Sequence, residues 1–320
     1  GPLNITALEQ SLKGIVQRHE ILRTTFSMMN GEPVQVIAPS LTSTLSVIDL
    51  CVLPVSEKEE EVQRVIDQER RWRFDLTHGP LLRATLLRLD QTEHVLCVVI
   101  HHIITDGWSM GIFFHELSAL YDAFSAGKAP SLPELPIQYA DFAVWQRKQL
   151  AGKRLEQQRS YWKRQLADLP VLELLTDRPR PPIQTHRGAK QSFTLSQSLS
   201  ESVKGLTHQE GVTPFMTLLA AFTVLLHRYT GQVDIPVGSP IANRTQIEIE
   251  GLIGYFMNML ILRADLMGNP SFRELLARIR KLALEAYDHQ DMPLDERLLK
   301  DLQRELDLSR NPLFQIVFVF

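Results

Sequence analysis

The 320-residue sequence has little cysteine, no long apolar run and no large excess of charge of one sign. Its two cysteines, Cys51 and Cys97, exclude a disulfide framework and are typical of a reducing compartment, so we expect the protein in the cytoplasm. The longest apolar helical segment, near residues 215–226, is far shorter than the roughly 18 to 20 residues of a membrane span. A net charge of −3 without a basic cluster gives no footprint for nucleic acid and no polybasic membrane patch.

The sequence also has no initiator methionine, and its amino end, GPLNITALEQSL, shows no secretory signal. It stops inside the apolar and aromatic segment FQIVFVF. These ends suggest a piece of a longer protein. The length fits one large or two medium domains.

Helix and strand patterns alternate along both halves of the chain. Apolar residues at three- and four-residue steps predict helices, whereas β-branched and alternating segments predict strands. Two helices carry capping signals: Thr213 and Pro214 at one start, with Gly231 at its end, and Ser271 with Glu274 at another. The predicted helices cover residues 5–22, 57–72, 113–127, 198–209, 214–230 and 271–288, with a further helical stretch through residues 145 and 162; the predicted strands cover residues 22–26, 81–89, 94–102, 191–196 and 233–241.

A proline-rich stretch separates the two halves. Prolines occupy positions 170, 179, 181 and 182 of DLPVLELLTDRPRPPIQTHRGAKQ, and polar residues follow. Because proline interrupts helices and strands, the stretch predicts a boundary near residues 175–190. We expect two α/β subdomains.

The most informative segment is VLCVVIHHIITDGWSMGIFFHELSALY, residues 95–121. Its pattern predicts a strand, a short loop with His101, His102 and Asp106, and then a helix. Side chains alternate across a strand, so if the strand extends to His102, only one imidazole points into a given cleft. An imidazole suits proton transfer near neutral pH. Asp106 can orient an imidazole, pair with an arginine or cap the helix, and the Gly107 N–H can serve as an oxyanion donor.

Other interpretations of these residues stay open at this point. Histidines on strands usually serve the structure. His101, His102 and Asp106 also offer three ligands to a metal, although no cysteine pair or HExxH helix accompanies them. A Ser-His-Asp triad has less support because the chain contains no G-x-S-x-G segment.

Six motifs occur in order along almost the whole chain. HHIITDG at 101–107 is joined by RHEILRTTF at 18–26, YADFAVWQ at 139–146, IGYFMNMLILR at 253–263, HQDMPLDERL at 289–298 and RNPLFQ at 310–315. Together they resemble the condensation domains of nonribosomal peptide synthetases, whose signature is HHxxxDG. Phe142, Met257 and Met259 depart from the family's pattern. The family's first motif is absent, and its domains normally continue beyond RNPLFQ.

The resemblance implies an α/β fold with two chloramphenicol acetyltransferase-like subdomains in a V-shaped pseudo-dimer and the active site at their junction. Residues 1–177 would form the N-terminal subdomain, with the HHxxxDG loop, and residues 178–320 a C-terminal subdomain truncated at its end. The implied reaction is amide bond formation: the amine of an aminoacyl thioester on a downstream carrier protein attacks an acyl or peptidyl thioester on an upstream one. Implied partners are both carrier domains and an adjacent adenylation domain. Substrates are tethered through phosphopantetheine, and the domain itself is expected to bind no cofactor and no metal.

The resemblance also assigns roles to residues. It makes His102 the catalytic histidine, as base and positioner of the amine, and places His101 behind the loop. Asp106 is implied to be a structural carboxylate that pairs with an arginine, and Gly107 supports the same loop. The candidate partners of Asp106 are Arg18, Arg23 and Arg263. Asn258 is implied either to line the tunnel that the phosphopantetheine arms enter or to serve a loop. Alternatives are an epimerisation domain and a catalytically silent domain that docks carrier proteins.

Overall fold

The chain forms two compact units, each described here by itself. The first comprises residues 1–148 and 244–257, and the second comprises residues 149–243 and 258–320. The structure is a computed structural model, and the residues that it describes are 1–41, 45–185, 187–294, 296–302 and 307–320.

The predicted boundary at residue 177 falls inside the second unit. Trp162 is fully buried in the core of that unit, so the helix that carries it packs there. Residues 244–257 belong instead to the first unit, where Arg244 pairs with Asp106. Residues 173–185 and 187–191 of the proline-rich stretch are exposed, whereas Leu169 and Leu172 at its start are buried in the core of the second unit. His186 lies outside the described residues.

The first unit is built around a three-stranded sheet and two long helices. The strand order is β3-β4-β5, with β3 parallel to β4 and β4 antiparallel to β5; β1 and β2 form a separate antiparallel pair. Leu12 and Ile15 of α1, Leu86 of β4 and Phe113 of α3 share one buried core. The elements are α1 (Ile5–Arg18), β1 (Thr24–Met29), β2 (Glu32–Ile37), β3 (Ser46–Asp49), α2 (Val55–Arg70), β4 (Leu82–Arg88), β5 (His94–Ile100), α3 (Gly107–Ser125) and α4 (Tyr139–Gln149).

The second unit packs helices on an antiparallel strand pair. Leu219 of α7, Val237 of β6, Leu262 of β7 and Ile279 of α9 lie in its core. Its elements, with the short α8 that precedes β7 but belongs to the first unit, are α5 (Gly152–Gln165), α6 (Gln197–Gln209), α7 (Pro214–Thr230), β6 (Asp234–Ile241), α8 (Ile247–Glu250), β7 (Asn258–Asp265), α9 (Phe272–Asp288) and α10 (Glu296–Asp301).

Most predicted elements are confirmed, and the capping signals explain why. The Thr213 side chain accepts from the Met216 N–H, and Gly231 ends α7 with φ +71°, in the left-handed region. Ser271 and Glu274 form the predicted capping box of α9. The predicted strand at residues 191–196 is wrong: these residues are exposed and form no strand. Within the described ranges no individual helix is long and apolar enough to cross a membrane; α6 and α7 meet that length and composition test only jointly, with a 108° bend between them.

Candidate active site

The two adjacent histidines have different surroundings because the strand before them ends early. β5 stops at Ile100, and residues 102–104 form a 3-10 turn. His101 Nδ1 accepts a hydrogen bond from the Ile103 N–H at 3.1 Å, and its ring meets the Phe74 ring edge-on at 5.7 Å. His101 therefore holds the turn. The turn, rather than the strand alternation assumed from the sequence, separates the two imidazoles.

His102 is exposed, and the backbone fixes one of its ring nitrogens. Nδ1 lies 2.7 Å from the carbonyl oxygen of Thr105. Because a carbonyl oxygen only accepts, Nδ1 carries the proton, and Nε2 of the neutral imidazole keeps a free lone pair. Among the residues that the structure describes, none forms a hydrogen bond with Nε2. This nitrogen is free to take a proton from an approaching group.

Asp106 is the N-cap of α3 and is almost completely buried. Its Oδ1 accepts from the Ser109 N–H at 2.9 Å and the Ser109 hydroxyl at 2.7 Å, and its Oδ2 accepts from the Phe256 N–H at 3.0 Å. Nη2 of Arg244 lies 3.3 Å from Oδ1. The carboxylate thus joins the start of α3 to residues 244–257. It is not the partner of His102, whose Nδ1 binds a carbonyl.

The surroundings of Asp106 favour its ionised form. Burial alone raises the pKa of this carboxyl. Hydrogen bonds from Ser109 and from the Phe256 N–H, together with the charge of Arg244, outweigh burial, so the pKa lies below its ordinary value of 3.8. Burial also lowers the pKa of the Arg244 guanidinium, and the Asp106 charge opposes that shift. The pair is held as two charges because each has several hydrogen bonds.

None of the three arginines expected to pair with Asp106 does so; Arg244 is the partner. Each candidate pairs with a different carboxylate. Arg18 pairs with Glu116 at 2.9 Å, Arg23 with Glu20 at 3.3 Å, and Arg263 with Asp234 at 2.7 Å. The expected type of interaction is present, but the expected residues are not in it.

Arg244 is the functional-site residue that the sequence analysis missed. Its side chain is 2 % exposed, and its guanidinium lies 4.1 Å from the centre of the Phe256 ring. Nη1 donates to the carbonyl oxygens of Ile249 and Leu252, and Nη2 donates to the Ser109 hydroxyl at 2.9 Å. Arg244 therefore holds residues 244–257 in shape. The available signal was an arginine three positions after the apolar strand segment VDIPVGSPI, where a lone cation needs a carboxylate.

Two polar side chains, His19 directly after α1 and Ser109 of α3, contact the segment 244–257. His19 is buried, and its Nδ1 accepts from the Ile253 N–H at 3.3 Å. Its Nε2 therefore carries the proton and donates to Glu116 at 2.9 Å. The Ser109 hydroxyl oxygen is also within hydrogen-bond reach of the Gly254 N–H at 3.1 Å. The motif RHEILRTTF thus supports the histidine loop indirectly.

Another motif meets the same segment through aromatic rings. The Tyr139 hydroxyl donates to the Tyr255 carbonyl at 2.7 Å. A Cβ added to Gly254 would lie 2.3 Å from the Tyr139 ring and 2.9 Å from the Phe256 ring, so only glycine fits there. Phe142 packs on Phe256 with ring centres 4.8 Å apart. YADFAVWQ and IGYF are therefore one packed cluster.

The remaining predicted site residues fall into two groups. Gly107 is exposed and begins α3 directly after the Asp106 cap, beside the histidine turn. Asn258 and Arg263 lie in the second unit. The Asn258 amide donates to the carbonyls of Gln290 and Met292 at 2.6 and 2.8 Å, so it holds a turn there. Within the described part of the chain, no three His, Cys, Asp or Glu side chains form a group that could hold a metal.

The chain belongs to the condensation-domain family: residues 1–320 match the family described as Condensation domain. The predicted resemblance and the α/β fold class are thereby confirmed. The chain is 54% identical over its full length to one of the linear gramicidin synthase proteins of Brevibacillus parabrevis, and it covers 6% of that protein. It therefore spans only a small part of the curated relatives it matches.

Solved structures give the same fold. The X-domain from teicoplanin biosynthesis, in its complex with OxyB, is 31% identical with a TM-score of 0.88, and the match covers 99% of this chain and 69% of that one. The first condensation domain of the CDA synthetase is 24% identical with a TM-score of 0.73, and the match covers 92% and 69% of the two chains. The second similarity bears on the fold alone.

Proposed function

We propose that this condensation domain catalyses amide bond formation between two carrier-bound thioesters. The observation that supports the proposal is His102, an exposed imidazole whose Nδ1–H is bound to the Thr105 carbonyl and whose Nε2 lone pair is free. The donor is an acyl or peptidyl thioester on an upstream carrier, and the acceptor is an aminoacyl thioester on a downstream one. Both are tethered through phosphopantetheine, and an adenylation domain loads the acceptor carrier.

The proposed reaction uses Nε2 of His102 as a proton acceptor. The acceptor amine attacks the donor thioester carbon and forms the C–N bond, while Nε2 orients the amine and takes a proton from its nitrogen. The tetrahedral species then expels the phosphopantetheine thiolate as the C–S bond breaks. The thiolate takes up the proton held on Nε2, so the products are an amide and a free thiol and His102 is neutral again. Asp106 and Arg244 keep the histidine turn in place and do not enter the reaction.

The test is product formation by His102→Ala with both carriers loaded. Loss of the base is expected to lower the rate of amide formation about 10²- to 10⁴-fold. Because His102 is exposed, the variant should fold and bind both carriers as the unchanged protein does. His208→Ala, at an exposed histidine of α6, is the matched control and should keep full activity. Full product formation by His102→Ala would refute the assignment.

A docking domain without catalysis is the second candidate, favoured by the high similarity to an X-domain solved in complex with another protein. The same experiment separates the two: a docking domain binds loaded carriers but yields no amide even with His102 intact. A product with an inverted α-carbon and no new amide bond would instead indicate epimerisation. Location in the cytoplasm stays a prediction from the cysteine content.

A further inference from the structure

His102 has a second neighbour besides Thr105. The Tyr255 ring meets the His102 ring edge-on, with ring centres 5.3 Å apart and planes at 72°. One hydrogen bond at Nδ1 fixes one edge of an imidazole, but an exposed ring can still pivot about that contact. The Tyr255 ring occupies one side of the imidazole and so restricts this motion.

The backbone of Tyr255 is fixed from both sides. On one side, the Gly254 N–H and carbonyl lie 3.1 and 2.9 Å from the Ser109 hydroxyl oxygen. On the other side, the Phe256 N–H donates to Asp106 at 3.0 Å. The Tyr255 carbonyl itself accepts from the Tyr139 hydroxyl. The backbone of residues 254–256 is thus held by Ser109, Asp106 and Tyr139.

The Tyr255 side chain, by contrast, is available at the surface. It is 38 % exposed, although the residues on either side of it are buried. Core packing does not explain this side chain, because its backbone is anchored while its aromatic ring lies partly exposed beside an exposed imidazole. Its one ring contact among the described residues is with His102.

We infer that Tyr255 is a positioning residue for His102, and that Asp106, Ser109 and Tyr139 act on the reaction by placing the Tyr255 ring. This inference deepens the proposed function of His102 and rests on it. The aromatic ring, rather than the phenol hydroxyl, carries the role, because the contact joins two rings.

The first test is an NMR measurement that does not depend on activity. Imidazole ¹⁵N and ring ¹H shifts of His102 are recorded for the unchanged chain, Tyr255→Phe, Tyr255→Ala and the control Tyr229→Ala, at a tyrosine that is 68 % exposed in the second unit. Tyr255→Ala should move the His102 ring resonances and weaken the Nδ1–H tautomer pattern. Tyr255→Phe and Tyr229→Ala should leave both unchanged. Unaltered His102 resonances in Tyr255→Ala would overturn the inference.

The second test is steady-state amide formation with loaded carriers. Tyr255→Ala should lower kcat about three- to tenfold with little change in KM, and Tyr255→Phe should restore it. An unchanged kcat in Tyr255→Ala, or a Tyr255→Phe variant as slow as the alanine variant, would also overturn the inference. If Tyr255→Ala does not fold, Tyr255→Leu, which keeps apolar volume without a ring, takes its place. If the unchanged chain forms no amide, the proposed function fails, and the NMR comparison alone decides the positioning role.

Discussion

Removal of Arg244 gives the most direct test of the site's architecture. In Arg244→Ala, the Asp106 carboxylate stays buried without its counter-charge, and the Ile249 and Leu252 carbonyls lose their donor. Breaking a buried ion pair from one side costs about 3–5 kcal/mol. A domain has a net stability of only about 5–15 kcal/mol, so this loss is large.

The expected loss can be read from urea unfolding followed by circular dichroism. With an m-value of about 3 kcal/mol per M, a loss of 3–5 kcal/mol lowers the urea midpoint by about 1 to 1.7 M. Arg64→Ala is the control, because Arg64 is 60 % exposed and pairs with Glu61 on the surface of α2. Exposed pairs contribute about 0–1 kcal/mol, so its midpoint should scarcely move.

A double-variant cycle identifies the cause of the loss. In Asp106→Asn/Arg244→Ala both charges are absent, so the double variant should be destabilised by less than the sum of Asp106→Asn and Arg244→Ala. If Arg244→Ala lowers the midpoint no further than Arg64→Ala, the buried pair contributes nothing measurable. The reasoning about residues 244–257 would then be wrong.

Two further predictions concern the same cluster. Gly254→Ala should destabilise the chain by about 1–3 kcal/mol, because the added Cβ would lie 2.3 Å from the Tyr139 ring. The control is Gly205→Ala on the exposed face of α6, where the added Cβ meets nothing within 4 Å, and it should be neutral or slightly stabilising. If the two variants unfold at the same thermal midpoint, the packing argument is wrong. The pKa of Asp106 is lowered in the folded state, so its stabilisation is complete above the unfolded pKa of about 3.9 and is lost as pH falls through the lower folded value. The free energy of unfolding measured against pH should therefore differ most between the unchanged chain and Asp106→Asn above about pH 4; a constant difference down to pH 2 would contradict it.

Local signals in the sequence predicted local structure well. Ser271 with Glu274 specified a helix start because both partners of the capping box lie within one turn. The hairpin of β4 and β5 followed from two apolar runs around a four-residue polar turn. The strand predicted at residues 191–196 is absent because a strand needs a neighbouring strand to pair with. The β-prone composition of these residues does not show whether such a neighbour is present.

The sequence predicted that Asp106 pairs with an arginine, but it did not predict which arginine. His102 and Asp106 were identified through a seven-residue motif, whereas Arg244 lies 138 residues from Asp106 along the chain. The ion pair is set by which segments pack together, and nearer arginines such as Arg18 and Arg23 were equally plausible by charge alone. The tautomer of His102 likewise depends on a carbonyl that only the folded turn places at 2.7 Å.

The discontinuity of the first unit has a consequence for segment exchange between related synthetases. Residues 244–257 supply Arg244, Tyr255 and the Phe256 N–H to a histidine turn encoded more than a hundred positions earlier. A recombination joint anywhere between residues 149 and 243 would combine one parent's turn with the other parent's supporting loop. Hybrids should therefore work best when both segments come from the same parent. Short swaps that move residues 101–109 together with 244–257 are the natural exchangeable unit.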